Sequence, residues 1–153
     1  MAVTLDFQID ENVLAEDRQH DPAAADPAII ETTYFVMPVR FSADGKEVLQ
    51  TPRSEWLPQP VIGFATHLAL AVCELRSTGS ATCFVDDGGT LRFERRDTRV
   101  HVTCSFNGVA AEVPIQELEG AVTHFRARVR DSFRARVPEL TTHPSWSTWF
   151  PAS

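Results

Sequence analysis

Residues 60–76 predict a helix that is apolar on nearly every side, and few folds can accommodate such an element. Pro60 suits the first turn of a helix, because its missing N–H would be unpaired there anyway. The apolar residues of the segment are Val61, Ile62, Phe64, Ala65, Leu68, Ala69, Leu70, Val72 and Leu75. A helix that is hydrophobic all round must be covered on more than one face. We therefore expect a sheet beneath this helix and another element above it.

The N-terminal third predicts strands around an acidic loop. Strict alternation over residues 3–9 indicates a half-buried strand, with Val3, Leu5, Phe7 and Ile9 on its apolar face. Residues 10–29 are polar, alanine-rich and broken by two Asp-Pro pairs, which predicts a loop that could contain a short helical turn around Val13 and Leu14. Residues 31–41 predict a second strand, and Pro38 within it places that strand at an edge or at a bulge, because proline cannot donate to a ladder.

Hairpin signals follow in two places. Residues 43–46 read Ala-Asp-Gly-Lys and predict a turn into a short strand. After the apolar helix, four strand-like runs predict an antiparallel meander: 81–85, 90–95, 99–106 and 109–113. The first two runs are separated by a predicted turn at residues 86–89, and the last two by Asn107-Gly108, which predicts a type I′ turn.

The last helix has the clearest pattern in the chain and is expected between Pro114 and Pro138. At about 100° per residue, five large apolar side chains of this segment fall within one narrow stripe. The stripe consists of Leu118, Val122, Phe125, Val129 and Phe133. The predicted fold is thus a single α+β domain over residues 1–153, in which a largely antiparallel sheet of about six or seven strands packs against a buried central helix and a long C-terminal helix.

Composition indicates a reducing, aqueous compartment. The chain has an odd number of cysteines, without a C-x-x-C pair: Cys73, Cys83 and Cys104. Its N-terminus lacks the basic and apolar regions of a signal peptide. The longest apolar stretch, residues 61–73, falls short of the roughly 20 residues that span a bilayer. We expect a cytoplasmic protein that does not enter a membrane.

Net charge is concentrated at the start of the chain. The formal charge of the protein is −7, and through Glu31 eight acids stand against Arg18 alone. Such a segment repels nucleic acid and attracts a basic partner. The alternative is a solvated segment that keeps the protein soluble. Arg126, Arg130 and Arg134 form a ridge on the last helix, and we expect them to pair with these acids rather than with phosphates.

Catalytic and metal-binding motifs are not found in the sequence. His101 and Cys104 lie three residues apart on a predicted strand, so they would point to opposite faces and could not share an ion. All three cysteines fall in apolar settings that favour an unreactive thiol. We therefore predict no catalytic residue, no metal and no cofactor, although His67 or His101 could still meet a distant acid across the fold.

Residues 138–153 form an aromatic tail without periodicity, expected to fold back onto the body. Trp146 and Trp149 are either core residues or anchors for a partner, since tryptophan is common in both settings.

Several segments resemble small uncharacterised proteins of actinobacteria. They are residues 34–39 (YFVMPV), residues 56–65 (WLPQPVIGFA), residues 88–93 (GGTLRF) and the arginine-rich last helix. The architecture of those proteins is similar to that of immunity proteins of bacterial toxin systems, which are compact cytoplasmic α+β domains that bind and block one toxin. The resemblance covers roughly residues 30–137 and implies a binding function without a catalytic residue.

The sequence thus favours an inhibitor or immunity-type protein that neutralises a partner protein with a basic surface. The candidate partner-binding residues are Asp6, Asp10, Glu11, Glu16, Asp17, Trp146 and Trp149. One alternative is a small-molecule-binding domain or minor enzyme with a pocket between sheet and helices. Another is self-assembly into a homo-oligomer through an edge strand and the tail.

Overall fold

Two four-stranded antiparallel sheets and five α-helices make up the computed structural model, which describes residues 2–85 and 88–152. The first sheet contains β1 (Val3–Phe7), β2 (Val36–Ala43), β3 (Lys46–Glu47) and β4 (Leu57–Pro60). The second contains β5 (Ser80–Val85), β6 (Gly89–Arg96), β7 (Arg99–Cys104) and β8 (Ala110–Pro114), paired in chain order. The α-helices are α1 (Glu11–Arg18), α2 (Pro27–Thr32), α3 (Val61–Thr78), α4 (Ile115–Arg136) and α5 (Trp146–Trp149). Short 3-10 helices lie at Pro22–Ala24 and Pro138–Thr142.

The α+β class is confirmed, as are the four-stranded meander and both long helices. The strands do not form one sheet, however, but divide equally between two. Asp86 and Asp87, in the predicted turn between β5 and β6, lie outside the described residues.

Helix α3 is covered on several sides, as its composition requires. It packs against α4 and β5 and also contacts α2, α5 and strands of both sheets. Phe64, Leu68 and Leu75 are almost completely buried. The helix ends at Gly79, whose φ of +84° is the left-handed conformation that glycine adopts without steric cost.

Aromatic side chains join α4 to its neighbours. The predicted apolar stripe of α4 is buried, and within it the ring of Phe125 lies 5.7 Å from that of Phe7 and 6.0 Å from that of Phe64, both edge to face. Phe133 meets the buried Phe35 in the same way at 5.0 Å. Such pairs stabilise beyond the area that they bury.

Residues 10–29 are mostly helical, so the predicted loop is wrong. The Asp10 side chain accepts from the N–H groups of Asn12 and Val13 and caps α1, and the Asp26 side chain accepts from Ala28 N–H and caps α2. The two Asp-Pro pairs that indicate breaks therefore stand at the starts of helical turns, where aspartate and proline are both favourable.

Strand β2 lies in the interior of its sheet, so the edge or bulge predicted from Pro38 is also wrong. One side of β2 pairs with β1, and the other with β3 and β4. Pro38 O accepts from Gln8 N–H at 3.0 Å, while across the sheet Pro38 stands opposite Pro58. Val61 N–H donates to Phe35 O, so Phe35 and Val61 form a hydrogen-bonded pair between β2 and the end of β4. Hydrogen-bonded and non-hydrogen-bonded pairs alternate along an antiparallel ladder. Pro38 and Pro58 therefore form a non-hydrogen-bonded pair, in which neither residue needs an N–H.

The hairpin turn predicted at residues 43–46 is confirmed and is of type I′, whereas the type I′ turn predicted at Asn107-Gly108 does not form. Asp44 and Gly45 have φ values of +51° and +74°, as this turn requires at both central residues. At the predicted position only Gly108 has a positive φ, +68°, and the loop is wider. The Asn107 amide donates there to Val48 O and Gln50 O, which ties the second sheet to the first.

Gly63 of α3 marks a close approach between helices. A Cβ atom at this position would lie 1.9 Å from the backbone oxygen of Glu31, at the end of α2. Gly120 of α4 has open space around the same position.

We predict opposite effects for alanine at these two glycines. Gly63→Ala should destabilise the protein by about 3 kcal/mol or more, because backbone must move to admit the methyl group. Gly120→Ala should stabilise it by about 0.5–1 kcal/mol through helix propensity. Urea denaturation of both variants measures the two free energies of unfolding. Similar values for the two would contradict the contact between α2 and α3.

Candidate functional site

Most of the acids predicted to bind a partner are held by contacts within the protein. Asp6 accepts from Arg128 Nη2 at 2.6 Å, and Glu11 pairs with Arg136 Nη1. Both arginines belong to α4. Together with the Asp10 cap, these contacts fix the orientation of β1 and α1 against the last helix.

Asp17 supports a strained backbone position. Phe35 is completely buried and has a φ of +58°, which is unusual for a bulky residue. Its N–H donates to Asp17 Oδ2 at 2.7 Å. Nearby, Arg18 forms a two-pronged contact with Glu139, with both N–O distances at 2.9 Å. Helix α1 is thus anchored at both of these residues.

We predict that Asp17→Ala destabilises the protein by about 2 kcal/mol, because the buried Phe35 N–H loses an ionised acceptor. Glu16→Ala is the matched control on the exposed side of the same helix and should change stability by less than about 0.5 kcal/mol. Thermal and urea unfolding measure both. An Asp17 variant as stable as the Glu16 variant would show that the contact contributes nothing.

Residues 6–26, which we call the acidic surface, keep a negative charge in the folded protein. Seven acids and Arg18 give this segment a charge of −6. Arg128, Arg136 and Glu139 join it through ion pairs, so the assembled surface carries −5. Glu16 and Asp21 are exposed, and neither side chain has a partner among the described residues.

The aromatic tail folds back, as expected, and buries one of its two tryptophans. Trp149 is only 1% exposed, and its ring lies 4.7 Å from that of His143, so its predicted role as a partner anchor is wrong. Trp146 is half-buried beside Phe150, with ring centroids 4.7 Å apart. A buried tryptophan stabilises the body that it packs against and offers a partner no surface.

The arginine ridge of α4 does not pair with the N-terminal acids. Arg126 donates from Nε to Trp149 O at 2.6 Å and from Nη2 to Thr148 O, so it holds the tail. Arg130 contacts Asp131 at 2.9 Å. Arg128 and Arg136 reach the acids instead, and Arg128 does so because a residue two positions from Arg126 points to the opposite side of a helix.

A groove of about 540 Å³ lies between α3, α4 and the tail. Its apolar lining includes Ala69, Val72, Val122, Ala127 and Phe150, and its polar lining includes Cys73, Glu119, Thr123, Arg126 and Arg130. Burial lowers the pKa of Arg126. The sequence contains one signal for this groove, which is a pair of small side chains one turn apart on each of the two facing helices. The pairs are Ala69 and Cys73 on α3, and Thr123 and Ala127 on α4.

The cysteines differ in exposure. Burial raises the pKa of Cys83 to about 12, and burial also raises that of Cys104, as predicted. Cys73 is exposed and lines the groove, so its predicted apolar setting is wrong. An exposed position on α3 was not expected because its neighbours along the helix are mostly apolar.

Two histidines, His67 and His101, lie beside acids near the surface. His67 Nε2 lies 3.8 Å from Glu31 Oε1 in a recess of about 130 Å³, and both side chains are partly exposed. His101 lies between Glu94 and Glu112 in the ladder of the second sheet. Among residues 2–85 and 88–152, no group of three or more His, Cys, Asp or Glu residues is placed to hold a metal ion.

Comparison of the chain with family models, curated proteins and solved structures found no match. None of the helices in the described ranges combines the length and apolar character that crossing a bilayer requires.

Proposed function

We propose that this chain is a cytoplasmic binding protein of the inhibitor or immunity type, which neutralises a partner protein with a basic surface. The observation that carries the proposal is the acidic surface, which keeps a charge of −5 while ion pairs and caps hold its backbone in place.

A fixed acidic surface favours binding in two ways. Its field steers a basic partner and raises the association rate, an effect that salt screens. Its anchored helix also loses little conformational freedom on binding, so less of the interaction energy is spent on ordering. The contacts of Glu11, Asp17 and Arg18 within the protein would therefore raise the affinity by keeping α1 rigid. Glu16 and Asp21 would contact the partner directly.

The test removes two charges from the acidic surface. Protein immobilised as bait should recover one dominant basic partner from the source cells. With the purified partner at low salt, the double variant Glu16→Gln/Asp21→Asn should associate about three- to tenfold more slowly, because the steering charge is lost while the fold, in which neither side chain has a partner, is kept. Stopped-flow or surface plasmon resonance measures the rate.

The matched control removes two charges elsewhere. Glu74 and Glu117 are exposed, and Glu74 lies two residues from Arg76, which pairs with Glu119 near the start of α4. Along α4, Glu117 lies about 28 Å from Arg136 at 1.5 Å rise per residue. Glu74→Gln/Glu117→Gln should therefore leave the rate within about twofold of wild type. Equal rates for the two double variants, an acidic partner or no partner would contradict the proposal.

One observation favours self-association as a second candidate. Gly79 O accepts from Arg95 N–H, so the backbone groups of Gly79 point toward β6. Because this direction alternates along a strand, the N–H and C=O groups of Thr82 and Phe84 in β5 point away from β6. No described strand pairs with them there, and the Phe84 side chain is 73% exposed. Three other edge strands are less open, since β4 carries Pro58, Ala110 O of β8 accepts from Lys46, and Leu5 O of β1 accepts from Arg128.

We predict that such pairing, if it forms, depends on Phe84. Light scattering should then show a dimer at high concentration that Phe84→Lys abolishes, because a charge on an edge strand opposes edge-to-edge pairing. Leu70→Lys, at a side chain that is 61% exposed on α3, is the control and should leave the mass unchanged. A strictly monomeric wild type would remove this candidate.

A further inference from the structure

The groove between α3 and α4 has the size and lining of a ligand site. Its volume of about 540 Å³ falls within the range of small-molecule pockets. Val72 and Val122 of the two helices and Phe150 of the tail line it, and all three are buried. An ion pair between Arg76 and Glu119 joins the two helices at one end. The apolar lining provides a surface against which an aliphatic chain would be buried.

Two arginines give the groove a charge opposite to that of the whole protein. Arg126 and Arg130 are one turn apart on α4, and both line the groove. Arg126 uses Nε and Nη2 for the tail carbonyls, and Arg130 uses Nε for Asp131. Among the described residues, Nη1 of Arg126 and both terminal nitrogens of Arg130 have no hydrogen-bond partner. Guanidinium groups bind carboxylates well because their planar donors match the two oxygens.

We propose that this groove binds an aliphatic monocarboxylate, with the carboxylate at Arg126 and Arg130 and the alkyl chain against Val72, Val122 and Phe150. The positive charges of Arg126 and Arg130 favour an anionic head group. The two guanidinium groups lie together in the groove although the protein as a whole has a net charge of −7. The lining selects the chain, because burying methylene groups there removes apolar surface from water. The site is independent of the acidic surface.

Octanoate is a suitable probe, and Cys73 reports on its binding. Cys73 lines the groove and is exposed, whereas Cys83 and Cys104 are buried, so iodoacetamide should modify the native protein at one thiol. Octanoate should slow this alkylation and bind with a dissociation constant below about 1 mM by calorimetry. 1-Octanol should bind about tenfold more weakly because it lacks the charge, and acetate should not protect Cys73.

Three variants separate the head from the chain. Arg130→Gln should weaken octanoate binding about tenfold while octanol binding stays unchanged, because only the carboxylate loses its donors. Arg134→Gln removes an exposed arginine of the same helix that does not line the groove, and it should leave both affinities unchanged. Thr123→Trp, at an exposed lining residue, should abolish both by filling the groove. Arg126 is left intact because it anchors the tail.

Four results would overturn the proposal. The first is that octanoate at about 5 mM neither protects Cys73 nor releases or absorbs heat. The second is that octanol binds as tightly as octanoate, and the third is that the Arg134 variant binds octanoate as weakly as the Arg130 variant. The fourth is that the molecular mass of the wild type doubles as its concentration rises, while the mass of the Thr123→Trp variant does not. The last result would assign the groove to a second copy of the chain. Circular dichroism of each variant confirms that a loss of binding is not a loss of fold.

Discussion

The burial of α3 is the constraint on which the rest of the structure depends. A helix of this composition cannot leave a side to water without exposing large apolar area. Both sheets, α2, α4 and α5 contact it, and the chain on either side supplies those elements. The approach of α2 at Gly63 shows how tight this cover is, because backbone lies where a methyl group would have to fit. The two sheets contribute unequally to this cover, since most of the strand contact with α3 comes from β5.

Helix α4 performs a second organising task through its arginines. Arg126 holds the C-terminal tail, while Arg128 and Arg136 hold the N-terminal segment on another side of the same helix. Each is a partly exposed contact of modest worth, but together they place both ends of the chain against one element. The two proposed binding surfaces are products of this arrangement. The acidic surface is fixed beside the C-terminal half of α4, and the groove is closed by the tail that Arg126 retains.

The ionic contacts also explain why candidate site residues from the sequence had mixed outcomes. Charge counting identified an acidic segment, and that segment is acidic in the folded protein. It could not separate acids that hold the structure, such as Asp17, from acids that face solvent, such as Glu16, because both belong to one helix and differ only in what lies opposite. Trp149 illustrates the same limit, since a tryptophan in an aperiodic tail carries no sign of which side will be covered. The groove had only a faint signal, the small side chains on facing helices.

Local patterns by themselves determined the elements that have a strong period. The two long helices, the meander and the buried stripe of α4 follow from apolar spacing, because side-chain direction repeats every 3.6 residues in a helix and every two in a strand. Tertiary structure decided whatever depends on partners distant in the chain. The helical state of residues 11–18, the interior position of β2 despite Pro38, the partners of the arginines and the exposure of Cys73 all arise that way. An ion-pair partner, an opposing proline, a carbonyl or an open groove is supplied by another element, and no single segment encodes its neighbour.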